Sequence, residues 1–390
     1  MPSCDQCGHD DLAFAYAPER SSRGLKVYIC RHCGLVQSLP RIARTKQRDA
    51  MAVSGGADWG NVRYGKGFRT TQAMAALVPF VSFGAPLKLL DVGSNRGRFA
   101  KAFLDIAPNA SLTAVEPDER YADLSADLPR TTLIQARIEN TALEDGAFDI
   151  VHSCHTIEHL AEPFAALKDH ARVLKEDGLL VIDAPNIALI GGDDILEEWF
   201  IDKHLFHFSD VTLPRMIEAA GFSIIAHPDP DDAINLLYVA RKTGAPKTEF
   251  AGDAAEVGHS EMLLGRYART RAENLAALAE AAAEIHRLAG KRVALWGAGR
   301  LFDALVLAGG FDPKCLTLLI DAHLAALVPE RHGARPVVPD AMKQTPVDII
   351  VIMSRGFAAE IVTEARQLAP QAQIILYADL LARARQAQAA

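Results

Sequence analysis

Four of the six cysteines form two Cys-x-x-Cys pairs, Cys4 with Cys7 and Cys30 with Cys33. Two such pairs at this spacing are typical of a tetrahedral zinc site with four thiolate ligands. A module this short cannot bury enough apolar surface to be stable alone, so a bound metal would supply its folding energy. The pattern predicts a structural zinc ribbon over residues 1–50. Disulfides are the alternative that an oxidising compartment would favour.

A second group of residues predicts a nucleoside-binding edge of a sheet. The run Leu-Leu-Asp-Val-Gly-Ser-Asn-Arg-Gly at residues 89–97 has the pattern of a buried strand, a glycine turn and the start of a helix. Such turns let a ligand approach the backbone at the carboxyl end of a strand. The next strand ends in Glu116, about where dinucleotide-binding folds place a ribose-binding carboxylate. The spacing of Gly93 and Gly97 predicts a nucleoside cofactor without indicating NAD.

The strands and helices that must position these residues alternate along the chain. Apolar runs bounded by turn residues predict buried parallel strands with helices between them. The last two strands are separated only by an Asp- and Pro-rich turn, so we expect them to be antiparallel. The predicted strands are residues 87–93, 112–117, 131–136, 148–154, 178–185, 222–228 and 235–242. The predicted helices are residues 98–107, 118–127, 160–175 and 212–220.

A second α/β unit is predicted at residues 291–390, after an alanine-rich helical linker at residues 246–290. Gly297-x-Gly299 opens this unit in the same order of strand, turn and helix, and Asp321 ends its next strand. A third glycine is missing, so the dinucleotide signal is weak. We interpret this unit as a structural or substrate-binding Rossmann-like domain.

Length and composition limit the class of protein. A chain of 390 residues suggests two or three domains. No apolar run approaches the length of a membrane span and no signal-peptide pattern is present, so we expect a cytoplasmic protein without a membrane partner. The net charge of −8 argues against a general nucleic-acid binder, although residues 20–48 carry eight basic and no acidic side chains.

The core of the chain resembles the class I S-adenosylmethionine (SAM) dependent methyltransferases over roughly residues 60–245. Residues 91–97 are similar to their glycine-rich first motif, residues 148–160 to their fourth strand, and residues 172–186 to the helix and strand that follow. Asn95 is a variant most similar to the sugar C-methyltransferases of deoxysugar biosynthesis. The resemblance implies SAM as cofactor and an α/β fold: a Rossmann-like seven-stranded methyltransferase core with an N-terminal zinc ribbon and a smaller C-terminal Rossmann-like domain.

The resemblance also implies a set of donor-binding residues. Asp91 would order the glycine turn or contact the methionine portion of the donor. Ala136 and Arg137 follow the third strand, where the family places its adenine contacts, and His155 would border the donor or the acceptor. The implied set is Asp91, Gly93, Asn95, Gly97, Glu116, Ala136, Arg137 and His155.

On the acceptor side, the segment around His204 resembles the one that carries the family's catalytic base, and the family's histidine aligns with His204. His207 stands where that segment usually has a tyrosine, and Lys203 stands where it has an acid. Without an acidic neighbour His204 would be less basic and less fixed, unless Asp202 takes that place. Tyr64 aligns with an active-site tyrosine of the family. The catalytic candidates are therefore His204, His207 and Tyr64.

The run His-Thr-Ile-Glu-His at residues 155–159 matches the inverted zinc-protease motif His-x-x-Glu-His. It begins at the end of a predicted buried strand rather than inside a long helix, and the fourth methyltransferase motif accounts for it better. We therefore interpret the protease match as coincidental and His159 as structural.

These observations predict a SAM-dependent methyltransferase that acts on a sugar, expected to be nucleotide-linked, at a carbon next to a keto group. After Gly297 and Ala298 the family usually has a proline and a lysine, and this chain has neither, which departs from the pattern for the usual sugar substrate. One alternative is an O-methyltransferase that uses the same histidine. A ribosomal-RNA methyltransferase, which the basic stretch favours, and a non-enzymatic assembly protein with a vestigial methyltransferase fold are the others.

Overall fold

The computed structural model describes residues 3–19, 21–41, 68–247, 250–288 and 290–389. The chain divides into two compact units. Met1–Ile190 and Phe200–Gly265 form the first unit, and Gly191–Trp199 and Arg266–Ala390 form the second. None of the described helices combines the length and the apolar content needed to pass through a bilayer.

A small antiparallel sheet forms the N-terminal ribbon of the first unit. Its strands are β1 Leu12–Tyr16, β2 Lys26–Cys30, β3 Val36–Leu39 and β9 Phe206–His207, in the order β1-β2-β3-β9. Each neighbouring pair is antiparallel. Because β9 comes from the segment that carries His204, the ribbon and this segment share one sheet.

A mixed, parallel-rich sheet forms the centre of the first unit, as the sequence predicts. Its strands are β4 Lys88–Val92, β5 Ser111–Val115, β6 Thr131–Ile134, β7 Phe148–Cys154, β8 Leu174–Pro185, β10 Phe222–Ala226 and β11 Asn235–Lys242. The order is β10-β11-β8-β7-β4-β5-β6, and β11 runs against its two neighbours. The expected antiparallel pairing of the last two strands is confirmed.

Helices cover both faces of this sheet. They are α1 Phe68–Leu77, α2 Arg98–Ile106, α3 Leu124–Asp127, α4 Pro163–Val173 and α5 Thr212–Ala219. Side chains of β4 alternate between the faces. Leu89 shares a core with α1 and α2, whereas Leu90 and Val92 share one with α4 and α5. The second core continues into the ribbon, since Cys30 and Leu35 belong to it.

One predicted helix is wrong in its extent. Residues 118–127 form a 3-10 turn, Glu119–Tyr121, and then the short α3. The stretch offers one buried i, i+4 apolar pair, Leu124 and Leu128. Packing therefore stabilises only its second half, and a single turn of helix is not stable without packing.

The second unit contains a parallel five-stranded sheet. Its strands are β12 Val293–Trp296, β13 Leu318–Ile320, β14 Pro336–Val337, β15 Ile349–Ile352 and β16 Gln373–Leu376, in the order β14-β13-β12-β15-β16. Each neighbouring pair is parallel. Helices α7 Arg300–Leu307, α8 Ala358–Leu368 and α9 Tyr377–Ala389 follow strands of this sheet. The alanine-rich helix α6 Ala254–His286 carries the chain from the first unit into the second.

Acidic side chains fix residues 191–199 to the second unit. Asp194 and Glu197 both form ion pairs with Arg355. Glu198 accepts a hydrogen bond from the Tyr267 hydroxyl at 2.8 Å. The long connection between β8 and α5 is therefore divided, and the part that carries His204 belongs to the first unit.

Candidate active site

The turn between β4 and α2 has a conformation that glycine and asparagine tolerate best. The φ angles are 74° at Gly93, 48° at Asn95 and 67° at Gly97, all in the left-handed region. A Cβ atom on Gly93 would collide with Thr156 Oγ1, and one on Gly97 would collide with Leu124 Cδ1. The backbone conformation therefore favours glycine at both positions, and at Gly93 the Thr156 side chain also leaves no room for a Cβ atom.

Glu116 closes this turn from the end of β5. The side chain is buried, and its Oε2 accepts a hydrogen bond from the Asn95 N–H while its Oε1 accepts one from the Asp118 N–H, both at 2.8 Å. Burial raises the pKa of Glu116. An ionised carboxylate offers about four lone-pair sites, so acceptor capacity remains for the hydroxyls that the sequence predicts here.

Sequence reasoning missed the partner of Asp91. Asp91 Oδ1 lies 2.7 Å from His152 Nδ1, and both side chains are buried. The His152 ring stacks on Phe99 with ring centroids 3.5 Å apart. Asp91 Oδ2 is buried and has no hydrogen-bond partner among the described residues. The register of β4 and β7, which places Asp91 opposite His152, could have indicated the pair.

Arg137 already has protein partners. Its guanidinium donates to both carboxylate oxygens of Glu139, at 3.2 and 3.0 Å, and to the His159 carbonyl at 3.3 Å. Ala136 is half-buried beside it and donates its N–H to Ile134 O at 2.9 Å. An adenine contact at this position would therefore come from the backbone or from Ala136 rather than from the Arg137 side chain.

His155 lies at the carboxyl end of β7, next to the glycine turn. Its Nε2 is 3.0 Å from Asn235 Oδ1 and 3.7 Å from Asp183 Oδ2, two residues that sequence reasoning missed. Burial lowers the pKa of His155 well below its usual range and raises that of Asp183 to about 6. Thr156 Oγ1 donates to Val92 O at 3.2 Å and so ties His155 to the end of β4.

Glu158, His159 and His204 form a cluster at the same edge. Their ligand atoms lie within 4.8 Å of one another, and His159 Nε2 is 3.4 Å from Glu158 Oε1. The His159 and His204 rings are in contact, with centroids 4.8 Å apart. Burial raises the pKa of Glu158 to about 8, lowers that of His159 to about 4, and lowers that of His204 well below its usual range. The structure thus brings His204 to the motif at residues 155–159.

The segment that carries His204 is built into the ribbon sheet. His207 lies in β9, and its Nε2 is 2.8 Å from Ser38 Oγ of β3. Leu205 accepts a hydrogen bond from the Ser38 N–H and donates its own N–H to Glu158 O, both at 2.8 Å. Burial lowers the pKa of His207 to about 3. His207 is therefore buried between the ribbon and the core, while its role in catalysis stays a prediction.

Asp202 is directed to the ribbon rather than to His204. Its Oδ2 accepts hydrogen bonds from the Ser22 N–H at 3.0 Å and from the Ser22 hydroxyl at 2.5 Å, and its Oδ1 accepts one from the Ser21 hydroxyl. The suggestion that Asp202 replaces the missing acidic neighbour of His204 is therefore not supported. Tyr64 lies outside the described residues.

The four ribbon cysteines meet as one cluster. Cys4 Sγ is 3.6 Å from Cys33 Sγ, and Cys7 Sγ is 3.5 Å from Cys30 Sγ. All four are free, so disulfides do not join them. Four thiolates at 2.3 Å from one tetrahedral zinc ion lie about 3.8 Å apart. The donor set and its spacing therefore fit a single zinc ion.

Residues 90–182 match the family described as methyltransferase domain. The segment runs from β4 into β8 and contains the glycine turn, Glu116 and the motif at residues 155–159. The strand order of the central sheet and the arrangement at its carboxyl edge agree with this similarity over the matched segment. The segment is less than a third of the chain.

The relatives found by sequence match the same part of the chain. A malonyl-[acyl-carrier protein] O-methyltransferase of Geobacter sulfurreducens is 36% identical over 98 residues, which is 24% of this chain and 37% of that protein. An uncharacterized methyltransferase of Mycolicibacterium gilvum is 34% identical over 101 residues, which is 25% of this chain and 38% of that protein. The chain therefore spans less than two fifths of the length of either relative.

Among solved structures, the chain is similar to the 1,6-didemethyltoxoflavin-N1-methyltransferase of Burkholderia thailandensis, determined with 1,6-didemethyltoxoflavin and S-adenosylhomocysteine bound. The identity is 18% and the TM-score is 0.42, over 60% of this chain and 100% of that one. A similarity at this level adds nothing to what the strand order shows.

Proposed function

We propose that the chain transfers a methyl group from SAM to a sugar, expected to be nucleotide-linked, at a carbon next to a keto group. The observation that carries the proposal is the meeting of two sets of residues at one edge of the central sheet. The glycine turn and Glu116 form one set, and His155, Glu158 and His204 form the other. This edge is where open α/β sheets bind their ligands.

The donor side of this edge fits SAM in two respects. Glu116 is positioned to accept hydrogen bonds from the ribose hydroxyls while it holds the turn closed. The buried Oδ2 of Asp91 has no partner in the described part of the chain, so it can accept a hydrogen bond from the amino group of the methionine portion. When bound, the donor supplies an electrophilic methyl group on a positively charged sulfur.

On the acceptor side, His204 is the proposed base. Burial lowers the pKa of His204 well below its usual range, which keeps the imidazole neutral and able to accept a proton but also makes it a weaker base than an exposed histidine. A proton next to a ketone is acidic enough to be removed by a positioned base. The resemblance of the segment around His204 to that of the sugar C-methyltransferases supports the sugar and the carbon target.

The proposed zinc ion would act at a distance from the chemistry. It would join the two ends of the ribbon through Cys4, Cys7, Cys30 and Cys33. The ribbon strand β3 pairs with β9, and through this pairing the ribbon orients the segment that carries His204.

Hydrogen exchange in the absence of methyl transfer tests the proposal. The enzyme is incubated in D₂O with a keto-sugar nucleotide, and S-adenosylhomocysteine replaces the donor. Carbon methylation predicts enzyme-dependent deuterium uptake next to the carbonyl. This uptake is expected to be lost in His204→Asn, and His204→Asn should also reduce turnover by about 10²–10⁴-fold while it retains donor binding.

The alternatives give other results. An O-methyltransferase, the activity named for the Geobacter relative, would turn over without deuterium uptake at carbon, because only an exchangeable hydroxyl proton moves. Donor binding without turnover on any acceptor would favour an assembly protein. Full turnover by His204→Asn would show that the base is a different residue, and His155, His207 and Tyr64 would be tested next.

A further inference from the structure

Glu158 has an environment that the proposed reaction does not explain. The residue is 1% exposed, and apart from its own backbone N–H neither carboxylate oxygen has a hydrogen-bond donor among the described residues. Burying a carboxylate without donors is costly, and buried polar groups in native proteins are generally satisfied. Two imidazole nitrogens lie close to it, His159 Nε2 at 3.4 Å and His155 Nδ1 at 3.7 Å. The positive charges of Arg69 and Lys203 act against the rise in its pKa that burial causes.

The protonation of His159 can be assigned from its second partner. His159 Nδ1 is 2.8 Å from the Lys203 carbonyl oxygen, which can only accept, so Nδ1 carries the proton. In a neutral imidazole Nε2 then presents a lone pair. That lone pair faces the carboxyl group of Glu158 at 3.4 Å, and either a proton on Glu158 or a bound cation can bridge the two groups. A backbone carbonyl that holds the remote nitrogen of a histidine is also the usual outer partner of a metal-ligating histidine.

We propose that Glu158, His159 and His204 bind a divalent transition-metal cation. Two donors at 2.0–2.2 Å from one tetrahedral ion are about 3.4 Å apart, and the Glu158 oxygen and the His159 nitrogen are 3.4 Å apart. His204 provides a third donor within 4.8 Å of the other two. Two imidazoles and one carboxylate favour zinc, cobalt, iron or manganese over calcium or magnesium.

The site goes beyond the proposed function, because its ligands are assigned without reference to the acceptor. Three protein ligands leave a coordination position open, and at this edge of the sheet that position can take an oxygen of the acceptor. A cation bound to His204 also occupies the lone pair that a base needs. A loaded site and a His204 base therefore exclude each other at any one moment.

Cobalt binding tests the site directly. The full-length protein, purified with zinc in the ribbon, is titrated with Co²⁺ and followed by visible absorption and calorimetry. One Co²⁺ per chain is expected, with ligand-field bands of a nitrogen- and oxygen-coordinated ion and without the thiolate charge-transfer band that ribbon substitution would give. Glu158→Gln and His159→Gln should each weaken binding by about 100-fold or more, since loss of an outer partner alone costs 10–100-fold.

Controls separate loss of the site from loss of the fold. His227→Gln changes a histidine of the same unit that packs against Tyr238, outside the cluster, and it should bind Co²⁺ like the wild type. Donor binding, measured by calorimetry in each variant, reports whether the fold is intact. Absence of Co²⁺ binding in a wild type that binds donor, or equal binding by Glu158→Gln, overturns the site.

Deuterium exchange with and without the cation separates this inference from the proposed function. If His204 is the base, exchange falls as the site fills. If exchange or turnover instead rises with occupancy, the metal site is supported and the assignment of His204 as base fails.

Discussion

Each unit contains a strand that runs through a glycine turn into a helix, and in each an acid at the end of the next strand closes the turn. Glu116 accepts a hydrogen bond from the Asn95 N–H of the first turn, at 2.8 Å. Asp321 accepts one from the Ala298 N–H of the second turn, at 3.0 Å. The acid at this place therefore stabilises a strand–turn–helix connection whether or not a ribose binds to it.

The two turns differ in what surrounds them. Two residues before its first glycine, the first unit has Asp91, whose Oδ2 is buried without a partner among the described residues. The second unit has the apolar Leu295 at that place. A Cβ atom on Gly297 would meet the carbonyl oxygen of Met353, as one on Gly93 would meet Thr156, so close packing at the first glycine is common to both turns. The comparison supports the prediction that the donor binds at the first turn, because an unpartnered buried acid stands beside that turn and an apolar residue takes its place in the second.

Among the variants proposed here, one that loses the proposed ribbon metal should have the largest effect on turnover. Zinc binding contributes about 10–16 kcal/mol to the folding of isolated zinc-finger peptides, and here the ribbon orients the segment around His204. We expect Cys30→Ser to lose metal by elemental analysis and to reduce turnover more than about 100-fold, because a misplaced base is inefficient.

The matched control for the ribbon is Cys315→Ser, because Cys315 is an exposed free cysteine of the second unit. It should retain both metal and turnover. Donor binding should survive in both variants, since the glycine turn and Glu116 lie outside the ribbon. Full turnover by a metal-free Cys30→Ser protein would contradict the positioning role of the ribbon.

Substitution of the two acids compares the turns directly. Glu116→Ala should weaken SAM binding by about 1.5–3 kcal/mol, roughly tenfold or more, because a charge-assisted hydrogen bond is lost. Asp321→Ala should leave SAM affinity unchanged and should destabilise the second unit, because Ala298, His323 and Leu324 lose the acceptor for their N–H groups. Calorimetry with SAM and thermal unfolding measure the two effects. Equal loss of SAM affinity in both variants would break the comparison.

Sequence patterns are sufficient for the parts of the fold that depend on short stretches of chain. The glycine turn and Glu116 were predictable because a buried strand, a left-handed turn and a helix start each leave a local pattern. The cluster of four cysteines was predictable because two Cys-x-x-Cys pairs at this spacing are typical of a zinc site. The helix at residues 118–127 failed because its pattern has too few apolar positions to decide between a helix and a turn.

The contacts of the acceptor side depend on segments that are distant in sequence. Strand β9 has two residues, too few for any periodic pattern, and its partner β3 belongs to the ribbon. The approach of His204 to Glu158 follows from that pairing and from the Leu205 N–H bonded to Glu158 O. The Asp91–His152 contact depends on the register between β4 and β7. No local propensity specifies such pairings, so one sequence could predict the candidate residues but not their assembly.

Acid sensitivity offers a third test, since buried neutral histidines are concentrated in the first unit. His170 of α4 lies outside the proposed site, and burial lowers its pKa to about 4. The unfolded chain binds a proton near pH 6.5 that the folded chain binds only near pH 4. The contribution of His170 to the free energy of unfolding is therefore fully present above pH 6.5 and is lost as the pH decreases toward 4.

Between pH 7.5 and pH 5, the free energy of unfolding should fall by about 2 kcal/mol more in the wild type than in His170→Leu. Urea unfolding of both proteins at the two pH values measures the difference, and the pH 7.5 pair corrects for altered packing. The same pH dependence in wild type and variant would show that His170 is not the group that titrates.

The smallest expected effect concerns Gly299, at the start of α7. A Cβ atom at Gly299 would meet nothing within 4 Å, and φ at this residue is −87°, so neither packing nor a positive φ requires glycine here. If the second turn is structural, Gly299→Ala should change stability by less than about 0.5 kcal/mol and leave turnover and acceptor KM unchanged. Gly97→Ala is the contrasting variant, because it combines a φ of 67° with a collision against Leu124 and should impair donor binding. An increase in acceptor KM for Gly299→Ala at unchanged stability would mean that a ligand occupies the open space beside the second turn. The second turn would then bind a ligand of its own, and the difference between the two turns would be one of ligand rather than of role.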